Sequence, residues 1–328
     1  MKAYKGFNED MTCRNFQYEE GKEYEEENAA LCLCGFHACL SPLDVFKYYN
    51  PTTSVYHEVD LSGRVIVQSD TNDTMKDSKI CGTNIKIGPA IELSDYVREG
   101  ISYISNNSTE AINEKSIDRF LASFTDKSKI SNENLVNEVV CNSGLFSLSS
   151  AENSRNIAVN TGSNSVAITH DHYGIAVISK PFSVAATDAK ASVAVSSGDE
   201  SITESYGSCS LSIQIGAESI ADSTGRESVS VNRGGYGKAQ ASGKDSSAIV
   251  AGPCSEAIVS EVGSIACALG GGCKAKGCVG SWLLLSEWKC KGTYEDSGRS
   301  DIRLFYVDGE KVKADTFYAL VNGQLTEA

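Results

Sequence analysis

The segment that decides the fold is residues 198–224, which reads GDESITESY, GSCSLSIQI and GAESIADST. Each nine-residue unit begins with Gly and carries Ser at its fourth position and a small residue at its sixth. When the phase is extended in both directions, the small residue recurs at fifteen successive positions, from Ser149 to Ala275. Ser precedes it by two residues at eleven of these positions, and Gly precedes it by five at ten. Residues 144–280 are therefore an uninterrupted array of nine-residue repeats.

The consensus G-x-x-S-[IV]-A-[VI]-x-x alternates small and aliphatic side chains with a period of two, which indicates a β-strand. We expect the recurrent Gly to occupy the turns, because it adopts positive φ without steric conflict. One strand and one turn cannot bury an apolar face alone, so the units must stack. With two units per coil and about 4.8 Å between stacked strands, the array predicts a β-solenoid about 35 Å long.

The small residues are expected to fill the interior, because their position never admits a large side chain. The aliphatic residues left outside the first coils are Ile157, Val159, Val166, Ile168, Ile175, Val177, Val193 and Val195. An exposed stripe of this kind favours an interface, so we expect a homo-oligomer formed through the solenoid. The opposite orientation, with the aliphatic residues inside, remains the alternative and would suit a monomer.

The flanking segments complete a mainly β fold with a small N-terminal α/β domain and a C-terminal β cap. The predicted domains are an α/β domain (1–107), a helical connector (108–143), the β-solenoid (144–280) and a β cap with hairpins (281–328). Inside the first domain, we predict strands at Tyr4–Phe7, Leu31–Ala38, Val55–Leu61 and Asn84–Leu93, and helical periodicity at 94–104. The connector is predicted from a similar helical periodicity at 109–124, with Ile112, Phe120, Leu121 and Phe124 on one side. In the cap, we predict a strand at Trp282–Trp288 and hairpins at 303–313 and 317–326.

The composition bounds the function. A formal net charge of −14 on 328 residues repels phosphate backbones, so no nucleic-acid partner is expected. The first residues contain no apolar leader, and no apolar run reaches 18 residues, so we expect neither a signal peptide nor a membrane span. Twelve Cys without an export signal indicate reduced thiols and a cytoplasmic protein. Calcium-binding nonapeptide rolls require G-G-x-G-x-D, and this array lacks the Asp.

A possible metal motif is C-x-C-x-x-H-x-C, formed by Cys32, Cys34, His37 and Cys39. Thiolate and imidazole are the ligands that zinc prefers. On a strand at 31–38, however, Cys32 and Cys34 face away from His37 and Cys39. One ion could not easily bind all four, so the sequence predicts no metal and no cofactor.

Residues 3–25, 34–51 and 54–63 read AYKGFNEDMTCRNFQYEEGKEYE, CGFHACLSPLDVFKYYNP and SVYHEVDLSG. They resemble an uncharacterised domain common in phage and prophage proteins. The Ser/Ala repeats and the ending, GSWLLLSEW at 280–288 and VDGEKVKADTFYALVNGQL at 307–325, resemble the C-terminal part of those proteins. The resemblance covers nearly the whole chain. It implies an origin in a mobile element and a location in the host cytoplasm, and it brings no established activity.

The order of strand YKG, strand GFHAC, helix FKYY, strand VYHEV and a last strand ending near Glu92 resembles an ADP-ribosyltransferase core. Such enzymes use an Arg or His on the first strand to hold NAD, then a Ser or Tyr, and a late Glu that stabilises the oxocarbenium-like transition state. The residues that match these roles are Lys5, His37, Tyr49 and Glu92. Lys5 departs from the family pattern, and no Ser-Thr-Ser strand is present.

The sequence therefore predicts a non-enzymatic accessory protein of phage type. Its solenoid would be a scaffold, and its end domain would interfere with host defence by binding a host protein or a small nucleotide signal. The alternatives are an ADP-ribosyltransferase-like enzyme that uses NAD and a structural component of the virion.

Overall fold

The computed structural model describes residues 1–67, 77–107, 109–110, 115–117, 120–123, 128–132, 139–152, 155–170, 172–289 and 298–328. The protein is mainly β, with 49% strand and 7% helix. It divides into two compact units, unit 1 at Met1–Asn107 and unit 2 at Ser108–Ala328. In the described part of the chain, the helices lack the length and hydrophobicity that crossing a bilayer requires.

Unit 1 is a curved sheet with helices packed against it. Its elements are β1 (Lys2–Asn8), β2 (Thr12–Cys13), β3 (Phe16–Gln17), β4 (Glu23–Glu25), β5 (Phe36–Cys39), a 3₁₀ helix (Pro42–Lys47), β6 (Ser54–Val67), β7 (Lys79–Ile91) and α1 (Leu93–Asn107). The strand order is β4-β7-β5-β1-β6. β6 also pairs with β7, so β7, β5, β1 and β6 form a closed ring of paired strands. Phe7, Leu61 and Ile80 lie in the buried core of this sheet. Tyr96 of α1 stacks on Tyr56 of β6, with 4.5 Å between ring centroids.

The predicted strand at Leu31–Ala38 is wrong in its first half. The extended segment begins only at Phe36, because Cys32 and Gly35 adopt positive φ values of 63° and 83°. Residues 31–34 form a turn, so the alternation of faces assumed for the Cys and His side chains does not apply to them. Among the described residues, no group of three His, Cys, Asp or Glu side chains is placed to hold a metal ion.

Unit 2 is a β-solenoid with about eight turns over residues 139–285, followed by further strands. Its strands are β8 (Thr109–Glu110), β9 (Lys115–Ile117), β10 (Phe120–Ser123), β11 (Ser128–Asn132), β12 (Val139–Asn142), β13 (Leu148–Ala151), β14 (Ile157–Asn160), β15 (Val166–Thr169), β16 (Ile175–Ile178), β17 (Val184–Thr187), β18 (Val193–Ser196), β19 (Ile202–Ser205), β20 (Leu211–Gln214), β21 (Ile220–Ser223), β22 (Val229–Asn232), β23 (Lys238–Ala241), β24 (Ser247–Val250), β25 (Glu256–Val259), β26 (Ile265–Ala268), β27 (Lys274–Lys276), β28 (Trp282–Lys289), β29 (Gly298–Tyr306), β30 (Tyr318–Val321) and β31 (Gln324–Glu327). Successive repeats alternate between two sheets, so that one coil contains two units. Sheet I contains β9, β10, the even-numbered strands from β12 to β28, and β29. Sheet II contains β8, β11, the odd-numbered strands from β13 to β27, β30 and β31.

The small residue of each repeat fills the interior, as the sequence predicts. Ala158, Ala176 and Ala194 of sheet I are fully buried, and so are Ala167 and Ala185 of sheet II. The aliphatic residues that flank the small position in sheet I are only half-buried. The interior is therefore narrow, and its two sheets approach closely over Ala and Ser side chains.

The recurrent Ser forms buried hydrogen-bond ladders along the solenoid. The backbone N–H of Ser201 donates to the Ser219 hydroxyl one coil later, at 3.1 Å. That hydroxyl in turn donates to the carbonyl oxygen of Gly198, at 3.3 Å. These bonds satisfy polar groups at the corners of the coils, where strand pairing ends.

The recurrent Gly has a different role from the one expected. Positive φ falls two residues later, on residues such as Glu200 and Glu218, at 50° and 53°. Gly216 is required instead by a close approach of two backbones. A Cβ atom there would lie 2.0 Å from the carbonyl oxygen of Gly198 in the preceding coil.

The predicted helical connector at 108–143 is wrong wherever it is described. Phe120 and Leu121 lie in β10, which pairs parallel with β12, while β11 pairs parallel with β13. Ile112 and Phe124 lie outside the described residues. Pairing with the open end of the stacked coils satisfies backbone groups along both sheets, and this outweighs a local helical periodicity.

The predicted aliphatic stripe divides between the two sheets. Ile157, Val159, Ile175, Val177, Val193 and Val195 lie on sheet I. Val166 and Ile168 lie on sheet II, and both are buried. The eight residues therefore do not form one surface, because each nine-residue step moves the chain to the opposite side.

Of the two hairpins predicted in the C-terminal cap, the structure contains one. Residues Asn322 and Gly323 have positive φ and join β30 to β31 as expected. The hairpin predicted at 303–313 is wrong, because β29 pairs antiparallel with β28 along the end of sheet I. The Asp308 carboxylate accepts hydrogen bonds from the backbone N–H groups of residues 310–312, which holds that segment in a turn.

Candidate functional site

A cleft of about 1000 Å³ opens in unit 1 between the sheet and the loops that cross it. β1, the β2–β3 hairpin, the turn before β5, the end of the 3₁₀ helix and the start of β7 all contribute side chains. Lys5, His37 and Tyr49 line this cleft together. Lys5 and His37 lie on β1 and β5, which pair with each other, and Tyr49 follows the 3₁₀ helix. The fold therefore brings together three separate parts of the chain.

Lys5 lies at the floor of the cleft and is only 6% exposed. Its Nζ donates to the carbonyl oxygen of His37 at 3.0 Å and contacts the Cys13 sulfur at 3.5 Å. It also lies 5.4 and 5.8 Å from the ring centroids of Phe7 and Tyr18. Burial lowers the pKa of Lys5, because the charged ammonium loses its hydration. An anionic group entering the cleft would reverse that effect and hold the ammonium in its charged form.

Tyr49 completes the floor beside Lys5. Its hydroxyl donates to the Cys13 sulfur at 2.7 Å, and burial raises the pKa of Tyr49, so the hydroxyl keeps its proton at neutral pH. Gly6 makes room for this ring, since a Cβ atom there would lie 2.5 Å from the Cβ of Tyr49. Lys5 thus supplies a cation on β1, and the neighbouring Gly6, which has no side chain, leaves the space that the Tyr49 ring occupies.

His37 is neutral at physiological pH. Partial burial and the nearby charge of Lys5 both lower the pKa of His37. Its Nε2 accepts a hydrogen bond from the backbone N–H of Cys32 at 2.9 Å, so the ring proton resides on Nδ1. The bond also ties the turn at 31–34 to β5.

Two further cations stand at the edge of the cleft. Arg14 is exposed and adopts a positive φ of 56° in the β2–β3 hairpin. Lys79 also lines the cleft, with Nζ 4.3 Å from the ring centroid of Tyr48. The Tyr48 hydroxyl donates to Asp77, which fixes the ring beneath the Lys79 ammonium.

Aromatic rings form one wall of the cleft. Phe16, Tyr18 and Tyr24 pack with centroid separations of 4.8, 5.4 and 5.1 Å, and Phe16 is 49% exposed. Glu26 accepts a hydrogen bond from the Gly35 N–H at 2.8 Å and joins Glu25 among the lining residues. Among the described residues, the cleft thus combines three cationic side chains with two carboxylates, in a chain whose formal net charge is −14.

Glu92 does not belong to this group. It is exposed between β7 and α1, where its carbonyl oxygen accepts the Tyr96 N–H at 2.9 Å. In the part of the chain that the structure describes, the carboxylates that line the cleft are Glu25 and Glu26. The family resemblance implies a late Glu in the same site as Lys5, but Glu92 is not among the residues that line the cleft.

Sequence reasoning missed Cys13, Arg14, Phe16 and Lys79 as lining residues. The run CRNFQY at 13–18 carried a signal, because it places a thiol, a cation and two aromatic rings within six residues. No local sequence signal marked Lys79, because its place in the cleft depends on the pairing of β7 with β5.

The fold and the cleft define a β-solenoid protein with a small, cleft-bearing N-terminal domain. A family model described as a domain of unknown function (DUF7666) matches residues 1–99, a span that contains all the described residues that line the cleft. Comparisons with curated proteins and with solved structures gave no match. The matched family brings no activity to this chain, so its function must be argued from the cleft itself.

Proposed function

We propose that unit 1 binds a small anionic, aromatic ligand of the nucleotide class, and that the solenoid is the scaffold that carries it. The protein would then be a non-enzymatic accessory protein of phage type, and the ligand a nucleotide signal that it withholds from host defence. The observation that carries this proposal is a concave cleft whose described lining residues include an aromatic wall and three cations, in an otherwise acidic protein.

The chemistry of the lining residues fits the parts of a nucleotide. The exposed ring of Phe16 offers a face on which a base can stack, and such stacking contributes about 1–3 kcal/mol per base. Arg14 and Lys79 are placed at the edge, where a phosphate would retain contact with water. Lys5 lies deeper, where an anion would relieve the burial of its ammonium. The volume of the cleft, about 1000 Å³, is at the upper end for small-molecule sites. Because the cleft is concave, it suits a small ligand better than the flat surface of a protein partner.

The test is a binding screen on the full chain by calorimetry and thermal melting. The probes are AMP, ADP, cyclic mononucleotides, cyclic dinucleotides and NAD, with inorganic phosphate as a separate probe. We expect at least one nucleotide to bind and raise Tm. Arg14→Ala and Lys79→Ala should each weaken binding about 10-fold or more, since each removes a charge-assisted contact to phosphate.

The matched control is Lys86→Ala, which removes another β7 lysine that pairs with Glu23 at 3.2 Å and lies outside the lining set. It should bind as the unaltered protein does. Absence of binding by every nucleotide would contradict the proposal. So would binding that survives the Arg14→Ala, Lys79→Ala double variant unchanged.

The second candidate is the ADP-ribosyltransferase-like enzyme, and the observation in its favour is that Lys5, His37 and Tyr49 line one cleft. The enzyme would release nicotinamide from NAD, which chromatography detects. If Glu92 has the catalytic role that the family resemblance implies, Glu92→Gln should abolish release, whereas Glu26→Gln would do so if the cleft carboxylate acts instead. Binding of NAD without release of nicotinamide would support the binding function and contradict the enzymatic one.

A further inference from the structure

The outer face of sheet I is a continuous hydrophobic surface that neither the repeat interior nor the cleft uses. Two columns of outward side chains run across ten strands, from β12 to β29. The first column begins at Val139 and ends at Tyr306, and the second begins at Cys141 and ends at Leu304. Every position in both columns is hydrophobic except Ser247, and none is charged.

The exposure of this face rises toward the cap. In the central coils, neighbouring rungs cover each side chain partly, so residues such as Val195 and Ile213 are half-buried. At the C-terminal end, Trp282 is 38%, Tyr306 47% and Leu304 55% exposed. The cap strands therefore extend the hydrophobic face instead of ending it.

The area of the face reaches the range of a specific interface. Ten strands at about 4.8 Å span about 43 Å, and two columns of side chains are about 12 Å wide. One copy thus offers about 500 Å², and a pair of copies would bury about 1000 Å², the smallest area at which a contact counts as a biological interface. A hydrophobic patch of this size on a soluble protein marks an interaction surface.

We infer that the occupant of this face is a second copy of the chain. The surface is a regular set of ridges with a repeat of about 4.8 Å, and only a partner with the same spacing can interdigitate with all of them. A second solenoid has that spacing, whereas a helix or a globular surface does not. The lack of charge also gives a nucleic acid or an acidic peptide nothing to bind.

The assembly is a closed, two-fold dimer in which the two sheet I faces pack against each other. Sheet II ends the growth, because its outward positions in the later coils carry an ion-paired row of Lys238, Glu256 and Lys274. In a two-fold dimer each sheet I face is buried by the other copy, so no hydrophobic surface remains to bind a third copy. The inference depends only on unit 2 and stands apart from the cleft and its ligand.

Light scattering on the purified full chain tests the inference. At micromolar concentration we expect the mass of a dimer. Ile213→Lys combined with Val195→Lys places two charges at the centre of the face and should halve that mass. Circular dichroism and the melting transition should still report a folded solenoid.

The matched control is Ile258→Lys, which changes the same position of the repeat on sheet II. It is half-buried like Ile213, and it should leave the dimer intact. A monomeric mass for the unaltered protein overturns the inference. An oligomer that dissociates with Ile258→Lys but survives the sheet I variant overturns it equally.

Discussion

Sheets I and II are built from the same repeat and share one interior, yet their outer faces differ. The outward columns of sheet I are uncharged from β12 to β29. At the same positions of the repeat, sheet II carries Glu204 and Asp222, which are buried, and Lys238 and Glu256, which are half-buried. The difference teaches that the geometry of the coil restricts only the inward residues. Information about partners is therefore found where the outward residues depart from the consensus.

The largest effect is expected from a change that affects the shared interior and so damages both faces. Gly216→Val would place a side chain 2.0 Å from the Gly198 carbonyl oxygen, which cannot move without shifting a whole coil. We expect the free energy of unfolding to fall by more than about 3 kcal/mol. Urea denaturation followed by circular dichroism measures it. Ala217→Val, at the next turn position, should cost less than about 1 kcal/mol, and equal losses would show that the close approach is not limiting.

The second-largest effect is on the pH dependence of stability, and it arises from one residue of sheet II. Burial raises the pKa of Asp222 from 3.8 to about 7, and among the described residues its Oδ1 has no hydrogen-bond partner. Between these two pH values the folded state binds more protons than the unfolded state, so stability falls as pH rises and levels off above about 7. Asp222→Asn should therefore stabilise the protein at pH 8 by on the order of 2–4 kcal/mol and leave it little changed near pH 4.

Unfolding curves at several pH values decide this prediction. The unaltered protein, measured in the same buffers, is the reference. If Asp222→Asn shows the same slope as the unaltered protein, the buried carboxylate is not the source of the pH dependence.

The smallest effect is expected from the ion pairs on the outside of sheet II. Glu256 lies 3.6 Å from Lys238 and 3.3 Å from Lys274, and its side chain is 22% exposed. Glu256→Gln should lower the free energy of unfolding by about 1 kcal/mol or less, and the loss should shrink in 1 M salt. The comparison is Glu261→Gln, an exposed turn position, which should change neither value. A loss that is large or independent of salt would mean that Glu256 acts through packing.

Much of unit 2 was predictable from the sequence because the repeat constrains the same position fifteen times. The phase, the buried small residues and the alternation of sheets all follow from period and side-chain size. The role of Gly216 did not follow, because Gly has two uses, positive φ and close approach, and the sequence cannot separate them. The connector failed for a related reason: helical periodicity around Phe120 is local, whereas pairing with β12 is a long-range contact.

The cleft was only partly predictable. Lys5, His37 and Tyr49 were named from their order along a family pattern, and the sheet brings them together. Glu92 followed the same order but lies apart, because the path of β7 carries it beyond the end of the cleft. Lys79 reaches the cleft only through the pairing of β7 with β5, which no local pattern contains. Cys13 lies only eight residues from Lys5, in the run CRNFQY whose signal was missed.

The alternation of repeats between two sheets also sets a rule for how this chain can change in length. Hydrogen bonds such as that from Ser201 to Ser219 join residues eighteen apart, so one full coil is eighteen residues. Gain or loss of eighteen residues within the array leaves every later side chain on its original face. A change of nine would exchange the faces of all the residues beyond it, moving lysines onto the hydrophobic surface and valines away from it. Duplication can therefore lengthen the gene in whole coils without loss of the surface pattern, and half-coil changes should be selected against.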